Sequence, residues 1–511
     1  MPSLKWTDRL TVMSSQTAAG IINCNISDHQ PYFVVLDYLM PIKLLPDRIK
    51  VYVNTSKANN DFKAEIFQTC SIEKFDNKPD CDPNINYNIL HDAITSALDK
   101  HLPARYVRYN KYKHKRESWM TNGIMNSIKF RDKLYIKLRS TDVNSEQHNK
   151  YKVNLQTYNR ILKQNIRLAK KKYYHDCFDK FKYDMKNMWS TIKDIINKSK
   201  SNDTFPKYFM INDIQVNDPK TIANAFNNFF TGIGPKLANT IVPPLNKCYK
   251  DYLCHPVLSN FQFKHITVEN VKLIIDNLKS KSSTGIDQLS NKLFKLIKDE
   301  LVPPLTLVIN QIFSTGIFPH KLKIAKVIPL FKKDKNYILD NYRPVSLLPS
   351  LSKIVEKVMY IQLYEYFQNN RLFYDSQYGF RSKHSTELAA LELLNRIVTQ
   401  MDQKEIPINI YLDLSKAFDT LDHNILTEKL KFYGITGKSL NLLTDYLTNR
   451  EQCVEYKNAI SDLQFINTGV PQGSILGPLL FIIYLNDIIN VSYTFIHVIY
   501  ANDTALFPIL S

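Results

Sequence analysis

The sequence predicts an α+β protein, and three features of the chain lead to that prediction. From about residue 260, helical patterns alternate with short β-prone segments that Gly and Pro residues separate. Two of the β-prone runs end in polar turns, Tyr411-Leu412-Asp413-Leu414 and Tyr500-Ala501-Asn502-Asp503. Ahead of this region, residues 105–200 carry helical patterns and many basic side chains. The chain is therefore expected to combine a basic helical part with a later part in which strands present acidic turns.

Length and charge limit the class of protein. A chain of 511 residues exceeds one ordinary core, so we expect about three or four units. Hydrophobic residues make up 44% of the chain and aromatic residues 12%, which favours globular over disordered parts. The net charge is +19, and residues 101–200 alone contribute a net +17. This local charge predicts a polyanionic partner, most simply nucleic acid, although a solvated helical surface is the alternative.

Cysteine usage and hydropathy limit the compartment. The seven cysteines form no C-x-x-C pair, and their odd number argues against a disulfide framework. We therefore expect a reducing, intracellular environment, in the nucleus, the cytoplasm or both. The first residues lack the apolar segment of a signal peptide, and the apolar run Leu479 to Leu485 is too short to span a membrane. No membrane partner and no small-molecule cofactor are expected.

The basic block is predicted to contain two amphipathic helices. Thr121 is expected to cap the first, whose apolar stripe consists of Ile124, Ile128, Tyr135 and Leu138. The second has one apolar face, with Tyr158, Leu162, Ile166, Ala169 and Tyr173, and one basic face, with Lys163, Arg167, Lys170 and Lys171. Basic residues interleaved with tyrosines suit a phosphate backbone. Packing of the tyrosines into a core is an equal alternative.

The two polar turns are expected to bring acidic side chains together. Asp413 lies at the end of a β-prone run, and 415–418 is predicted to begin a helical turn. Ala501 and Asn502 would form the turn of a hairpin. If the strands are neighbours, Asp413 and Asp503 converge, and convergent oxygens suit Mg²⁺. Two such ions can clamp the attacking and leaving oxygens of a phosphoryl transfer. Two unrelated acidic turns remain the alternative.

A series of further motifs occurs in a fixed order around these turns. The series consists of Val327 to Lys333, Asn341 to Leu348, Gln377 to Arg381, Asp413 to Asp419, Gly469 to Leu480 and Tyr500 to Asp503. It resembles the reverse transcriptase of non-LTR (LINE-type) retrotransposons. The resemblance covers roughly residues 265–511 and begins near Lys281-Ser282-Ser283-Thr284-Gly285-Ile286-Asp287.

The resemblance implies an architecture and a division of the chain. It implies the fingers and palm of a right-hand polymerase, with a ferredoxin-like palm sheet, after a helical basic region. The implied parts are 1–40 as the end of an endonuclease/exonuclease/phosphatase-like domain, 41–104 as a linker, 105–200 as the basic helical region, 201–260 as a helical connector, and 261–511 as fingers and palm. Since the family continues past the catalytic turn, the palm is expected to be incomplete and the thumb absent.

The resemblance also implies a reaction. The family transfers a deoxynucleotide from a dNTP to a primer 3′-hydroxyl on an RNA template, which makes it an RNA-directed DNA polymerase. Its implied partners are the RNA template and a DNA primer, and its implied cofactors are two Mg²⁺ ions, or Mn²⁺. The catalytic positions are Asp413, Asn502 and Asp503, and the implied metal contacts are Asp413, Leu414 and Asp503.

Five other residues match positions that contact the substrate in the family. Lys332 and Arg343 match finger residues that neutralise the incoming triphosphate. Phe418 matches the aromatic residue that excludes a ribose 2′-hydroxyl, and buried packing is its second expected role. Gln472 and Gly473 match the loop beneath the nucleotide and template. Asp419 and Asp422 are predicted to be helix-start or surface residues rather than ligands.

The sequence departs from the family at Asn502, where the family pattern has an aspartate. An amide offers a neutral oxygen in place of a carboxylate, so the activity of this chain is expected to be impaired. Together with the end of the chain, this predicts that Asn502→Asp alone does not restore processive synthesis. The alternatives are a non-catalytic nucleic-acid-binding remnant that uses the basic block, and a host-adopted helical scaffold for protein contacts.

The start of the chain resembles the end of an apurinic-type endonuclease. The segment Asn25-Ile26-Ser27-Asp28-His29 matches the family's terminal motif, and the resemblance implies that His29 is the catalytic base with Asp28 beside it. The earlier metal ligands of such a domain would precede Met1. No endonuclease activity is therefore expected.

Overall fold

The computed structural model describes most of the chain. The described residues are 17–21, 32–36, 48–51, 60–102, 105–108, 117–142, 144–196, 205–206, 208–241, 247–253, 256–257, 259–280 and 283–508. The predicted endonuclease residues Asp28 and His29 lie outside them. The chain divides into two compact units, Met1–Val51 with Ala104–Asn197 and Tyr52–Pro103 with Lys198–Ser511. The protein has both helices and sheets, as the α+β prediction requires.

The α-helices are numbered in chain order. They are α1 (Asn60–Thr69), α2 (Pro83–His101), α3 (Asn122–Arg139), α4 (Glu146–Lys180), α5 (Met185–Ile195), α6 (Pro219–Ala238), α7 (Val268–Asn277), α8 (Asn291–Leu296), α9 (Lys298–Thr315), α10 (His320–Lys323), α11 (Ser350–Asn369), α12 (Thr386–Asp402), α13 (His423–Phe432), α14 (Gly437–Leu447) and α15 (Gly477–Leu485). Short 3₁₀ turns lie at Ile72–Lys74, Tyr249–Tyr252, Leu339–Asn341 and Ile488–Val491.

The strands are numbered in the same way. They are β1 (Thr17–Ile21), β2 (Tyr32–Leu36), β3 (Arg48–Val51), β4 (Arg105–Arg108), β5 (Phe209–Ile211), β6 (Ile214–Val216), β7 (Ile324–Phe331), β8 (Tyr342–Leu347), β9 (Ile410–Asp413), β10 (Arg450–Tyr456), β11 (Ala459–Ile460), β12 (Gln464–Ile466), β13 (Phe495–Tyr500) and β14 (Asp503–Pro508).

The first unit contains two small antiparallel sheets and a helical hairpin. β1 pairs with β2, and β3 pairs with β4. The hydroxyl of Thr121 accepts a hydrogen bond from the N–H of Ile124 and so caps α3, as predicted. α3 packs against α4, and the ring of Tyr158 lies 5.2 Å from that of Phe130. Tyr158 therefore contributes to helix packing, which favours the core alternative for this tyrosine.

Residues 60–102 differ from the predicted linker. They form α1 and α2, whose buried side chains belong to the main core of the second unit. The Asn86 amide donates to the Gln311 side chain of α9 at 2.8 Å, and this contact lies in the interior. Tyr87, Leu90 and Ile94 of α2 form an apolar stripe at helical spacing, and all three are fully buried. Polar residues interrupt this stripe in the sequence, so the helix was not predicted. The hydrophobic effect of this stripe explains why the segment folds onto α9.

A mixed sheet carries the first motifs of the series. Its strand order is β11-β10-β7-β8, and β12 also pairs with β10. β7 and β8 are antiparallel, with Phe331 opposite Tyr342. α6 covers this sheet with Phe226 and Phe230, both buried in a shared aromatic cluster. The predicted 201–260 connector thus contains a helix whose aromatic side chains pack on the sheet.

A second sheet of three strands carries the two polar turns. Its order is β13-β14-β9, so β9 is an edge strand of this sheet. Side chains on β9 are exposed on both faces, and Tyr411 retains 63% of its accessible surface. α12 packs beside β13 and also exposes apolar side chains such as Leu391. The acidic ends of β9 and β14 therefore lie beside open apolar surface.

In the described part of the chain, no helix is both long enough and apolar enough to cross a membrane. The run Leu479 to Leu485 instead belongs to α15, most of whose side chains are buried in the main core. Its apolar character is explained by burial.

Candidate active site

The hairpin of β13 and β14 places Asp503 opposite Asp413. β14 pairs antiparallel with β9, and Asp503 and Asp413 are register partners at the end of the ladder. Ala501 and Asn502 form the connecting turn, in which Ala501 has a φ of +58°. Two strands that are remote in sequence therefore bring two carboxylates to one point. This is the convergence that the two polar turns predict.

Gln377 holds the turn from the side, a role that the sequence did not reveal. Its side-chain oxygen accepts hydrogen bonds from the N–H groups of Ala501, at 3.0 Å, and Gly379, at 2.8 Å. The N–H of Tyr378 donates to the carbonyl of Ile499 at 2.7 Å. A Cβ on Gly379 would collide with the backbone of Ala501, so glycine permits this close approach. The Gln377 to Arg381 motif thus fixes the position of the turn.

Asn502 makes a direct contact with the first acidic position. Its side-chain Nδ2 donates a hydrogen bond to Oδ1 of Asp413 at 3.0 Å. The assignment of nitrogen rather than oxygen is chemically consistent, because a carboxylate only accepts. The amide therefore occupies one Asp413 oxygen with a donor. A carboxylate at position 502 would instead have repelled Asp413 in the absence of a cation.

The donor set fits a divalent cation, but with fewer charges than the family pattern provides. Asp413 and Asp503 supply carboxylate oxygens, and Leu414 could contribute only its backbone carbonyl. Across the described residues, no group of three or more His, Cys, Asp or Glu side chains is placed to hold a metal ion. The position where a third carboxylate would stand is Asn502. The residues therefore suit one hard cation at the Asp413–Asp503 pair better than two.

A cavity of about 710 Å³ opens in front of these carboxylates. Seven of the eight predicted side-chain positions line it, together with Leu414. The predicted residues in its lining are Lys332, Arg343, Asp413, Leu414, Phe418, Gln472, Asn502 and Asp503. Gly473 does not line the cavity, although it adjoins Gln472. Motifs that are far apart in the sequence are therefore gathered around one polar space.

Two basic residues enter the cavity from the β7–β8 hairpin. Lys332 directly follows β7, and its N–H donates to the carbonyl of Asn341 at 2.9 Å, which closes the loop next to β8. Arg343 is the register partner of Leu330, and its side chain is exposed. Lys416 also lines the cavity but is paired with Asp340 at 3.1 Å. Lys332 and Arg343 are therefore positioned to meet an anionic group from the solvent side.

Phe418 has both of its predicted environments. Its ring stacks on Phe481 of α15, with centroids 4.7 Å apart, and meets Phe380 edge to face at 5.9 Å. It also lines the cavity. Packing on Phe481 limits the motion of the ring, so Phe418 presents a fixed surface to the cavity.

The segment before Phe418 differs from its prediction. Residues 415–419 form turns instead of the predicted helical turn, with Lys416 at a φ of +52°. The N–H of Asp419 donates to the carbonyl of Lys416 at 2.8 Å. This left-handed residue reverses the chain after β9 and directs Phe418 toward α15.

Gln472 is held by Asp419. The Nε2 of Gln472 lies 2.9 Å from each carboxylate oxygen of Asp419. Since a carboxylate only accepts, the Gln472 amide must turn its nitrogen to Asp419 and leave its oxygen on the other side. Burial raises the pKa of Asp419 to about 6, while the Gln472 hydrogen bond opposes that rise. Asp419 is half-buried and begins no helix, so the helix-start alternative is wrong for this residue.

The prediction for the neighbouring Asp422 is confirmed. Its side chain accepts hydrogen bonds from the N–H groups of Asn424 and Ile425 and caps α13. Local sequence defines this role, because an N-cap contacts residues only two or three positions away. The contact between Asp419 and Gln472 spans 53 positions, so no local pattern could have revealed it.

The loop that carries Gln472 lies against backbone on both sides. The N–H of Ser346 in β8 donates to the carbonyl of Gln472 at 2.9 Å. Gly473 has a φ of +138°, and a Cβ there would collide with the Ser346 carbonyl. Behind the loop, the buried Glu356 of α11 accepts hydrogen bonds from the N–H groups of Ile475, at 2.6 Å, and Leu476. The main-chain groups of the loop are therefore held by β8 and by Glu356, in addition to the contact that the Gln472 side chain makes with Asp419.

The segment that carries this site matches a known protein family. Residues 331–508 match the family described as "Reverse transcriptase (RNA-dependent DNA polymerase)". The matched segment contains Lys332, Arg343 and both polar turns. A 245-residue stretch is 33% identical to "Probable RNA-directed DNA polymerase from transposon BS" of Drosophila melanogaster, covering 47% of this chain and 26% of that protein.

Residues 331–508 form a reverse transcriptase domain that is similar to those of non-LTR retrotransposons. It is also 33% identical over 226 residues to "RNA-directed DNA polymerase from mobile element jockey" of Drosophila funebris, covering 44% of this chain and 25% of that protein. A third relative, "Probable RNA-directed DNA polymerase from transposon X-element" of Drosophila melanogaster, is 32% identical over 215 residues. This match covers 42% of this chain and 24% of that protein. The matches span about a quarter of the length of these curated relatives.

The reverse transcriptase domain is by family a nucleotidyltransferase. Reverse transcriptases use divalent metal ions and dNTPs and act on a primed RNA template. The cavity of this reverse transcriptase domain is lined both by the carboxylates of Asp413 and Asp503 and by the basic side chains of Lys332 and Arg343.

Proposed function

We propose that this chain adds deoxynucleotides to the 3′-hydroxyl of a DNA primer on an RNA template, at a rate that Asn502 lowers. The proposal rests on the shared cavity, which is lined by the paired Asp413 and Asp503 and also by Lys332 and Arg343. The reverse transcriptase family of residues 331–508 supports the choice of reaction. The β7–β8 hairpin is proposed to belong to the fingers, and the β13-β14-β9 sheet to the palm.

Each residue has a task that its environment supports. One divalent cation, Mg²⁺ or Mn²⁺, would be held by Asp413, the Leu414 carbonyl and Asp503 and would supply charge stabilisation to the reacting phosphate oxygens. Arg343 and Lys332 would bind triphosphate oxygens, with the guanidinium able to engage two of them at once. Each is exposed at the cavity and has the opposite charge to its proposed ligand.

The sugar and base of the nucleotide would meet the other side of the cavity. Phe418, braced by Phe481, would exclude a ribose 2′-hydroxyl by contact. Gln472, held by Asp419, would present its amide oxygen as an acceptor beneath the nucleotide. The tight turn at Gly473 would allow the backbone to approach the template.

A test of this function is primer extension with the purified chain. We expect slow addition of deoxynucleotides to a DNA primer annealed to RNA, dependent on Mg²⁺ or Mn²⁺ and abolished by Asp413→Asn. Incorporation that persists in Asp413→Asn would assign the activity to a contaminant. Discrimination between dNTP and rNTP should fall in Phe418→Ala, because the contact surface for the 2′-hydroxyl is removed.

A second candidate function is nucleic-acid binding without synthesis. It is favoured by the hydrogen bond from Asn502 to Asp413, which engages a catalytic carboxylate with a neutral donor. It is also favoured by the charge of the first unit. Salt-sensitive RNA binding together with no incorporation, even after Asn502→Asp, would select this function.

The Asp419–Gln472 contact predicts a pH dependence of nucleotide use. The pKa of Asp419 is raised to about 6, so the carboxylate is ionised above that pH and protonated below it. Protonation removes the charge that holds the Gln472 amide nitrogen, so the KM for dNTP should rise as the pH falls through 6. Steady-state kinetics in the Asn502→Asp background would measure this change.

The matched variant for this prediction is Asp419→Asn, which cannot titrate. Its KM should be raised at all pH values and should lack the inflection near pH 6. A variant that keeps the same inflection would assign the pH dependence to another group. The raised pKa also means that Asp419 favours the folded state most below its ordinary pKa of 3.8, and this contribution is lost as the pH rises through about 6.

A further inference from the structure

The long helix α4 carries a row of basic side chains outside the polymerase site. Lys152, Arg160, Lys163, Arg167 and Lys171 are all exposed, and we call these five the cationic face. With 3.6 residues per turn they fall within an arc of about 100°, and the first and last lie about 28 Å apart along the axis. The acidic residues of α4, Glu146, Asp176 and Asp179, all lie outside the stretch 152–171.

The cationic face has no ionic partner among the residues that the structure describes. Other basic side chains of the first unit are engaged: Lys150 pairs with Glu146 at 2.8 Å, Arg131 pairs with Asp132 at 2.6 Å, and the Lys170 ammonium lies 4.5 Å from the centre of the Trp119 ring. The opposite face of α4 is occupied, because Leu155 and Leu162 are buried and Tyr158 packs on Phe130. The charges are thus held in a fixed row by a packed helix.

Two exposed aromatic side chains follow the C-terminal end of α4. Tyr183 retains 92% of its accessible surface, and Trp189 of α5 retains 54%. Exposed aromatic rings that follow a cationic helix in the chain suit stacking with unpaired bases, whereas a duplex offers only phosphates and groove edges to such rings. The combination favours a single strand over a duplex.

We propose that the cationic face of α4 binds the phosphate backbone of single-stranded RNA, with Tyr183 and Trp189 stacking on its bases. The choice of RNA over single-stranded DNA rests on the proposed function, since the template of a reverse transcriptase is RNA. The binding itself requires neither Asp413 nor a bound nucleotide. Because backbone contacts read no sequence, the surface takes RNA without base preference.

The test is the salt dependence of RNA binding by the full chain. Fluorescence anisotropy with labelled polyuridine, without divalent metal or dNTP, would give the dissociation constant at several salt concentrations. The quintuple variant K152Q/R160Q/K163Q/R167Q/K171Q keeps helix propensity nearly unchanged. For this variant, the slope of log affinity against log salt concentration should decrease in magnitude by about 3.5. Its dissociation constant for polyuridine should rise on the order of 100-fold. Unchanged affinity and slope would overturn the proposal.

A matched control removes the same charge from the other unit. The variant K74Q/K78Q/K236Q/K292Q/K431Q neutralises five exposed lysines outside α4 and should retain the parent affinity and slope. An equal loss in both quintuple variants would overturn the assignment to α4, since net charge alone would then explain binding. Circular dichroism of each variant would verify that the helices are retained.

Further measurements distinguish single-stranded RNA from duplex DNA as the ligand, and distinguish the RNA-binding proposal from the polymerase proposal. The variant Y183A/W189A should bind polyuridine about 10-fold more weakly and duplex DNA unchanged. A parent chain that binds duplex DNA more tightly than polyuridine at the same salt would overturn the single-strand assignment. If the chain incorporates no dNTP yet shows the predicted slope change, the proposed polymerase function fails while this surface stands. If the chain incorporates dNTP but the quintuple variant shows no change in slope, the polymerase function stands and the proposed RNA-binding surface fails.

Discussion

Replacing Asn502 with Asp is expected to raise single-nucleotide incorporation on a primed RNA template by about 1000-fold. The substitution adds one negative charge beside Asp413, whose Oδ1 lies 3.0 Å from the Asn502 amide. At a separation of about 4 Å and an effective dielectric constant of about 20, a unit charge and a unit of cationic charge interact by about 4 kcal/mol. Incorporation of one dNTP, measured under single-turnover conditions, would give the rate of each variant.

The same substitution should change how stability depends on metal. In place of a hydrogen bond, the introduced carboxylate and that of Asp413 would repel each other, which destabilises the turn. Without divalent cations, the Asn502→Asp variant should therefore melt at a lower temperature than the parent. Addition of Mg²⁺ should restore its melting temperature. The parent should respond less to Mg²⁺.

The controls for this substitution separate charge at the site from charge elsewhere. Asn458→Asp introduces the same charge in the exposed turn between β10 and β11 and should leave incorporation unchanged. Asn502→Ala removes the hydrogen bond to Asp413 without adding charge and should not gain activity. If Asn502→Ala were as active as Asn502→Asp, blocking by the amide rather than missing charge would explain the impairment.

Replacing Glu356 with Ala is expected to lower the free energy of unfolding by about 3–5 kcal/mol. Glu356 is fully buried in α11 and accepts hydrogen bonds from the Ser352 hydroxyl and the N–H groups of Ile475 and Leu476. Burial raises its pKa, while the Ile475 N–H and the positive charge of the buried Arg450 oppose the rise. The substitution leaves the positive charge of Arg450 without this carboxylate and leaves the N–H groups of Ile475 and Leu476 without their acceptor. Urea unfolding followed by intrinsic fluorescence would measure the loss.

The same helix offers a matched control for this prediction. Glu365 is exposed on α11, so Glu365→Ala should change the free energy of unfolding by no more than about 0.5 kcal/mol. Glu356→Gln keeps an acceptor oxygen and should lie between the parent and Glu356→Ala. Equal unfolding midpoints for the two alanine variants would contradict a structural role for the buried carboxylate.

The sequence predicted those parts of the site that local patterns determine. Alternating β-prone runs placed Asp413 and Asp503 at strand ends, and the order of the motifs associated them with Lys332 and Arg343. Each of these signals lies within a few residues of the position it describes. The association of the other substrate-contacting residues with these carboxylates was expected only through the family resemblance, because no local pattern specifies which loops meet.

The features that escaped prediction depend on contacts between distant segments. Gln377 reaches a turn 124 positions away, and Asp419 reaches Gln472 across 53 positions. Neither residue type is unusual in its own motif, so only the folded chain reveals the contact. The helix α2 was missed for another reason, since polar residues interrupt its apolar stripe and the stripe becomes recognisable only against α9.

The edge position of β9 leaves an open strand edge beside Asp413. An exposed edge strand offers unpaired backbone groups to any other extended segment, and the exposed apolar side chains of β9, including Tyr411, would gain from being covered. A strand that added there would run directly past Asp413 and narrow access to the cavity. A segment bound along this edge would therefore compete with substrate for access to Asp413.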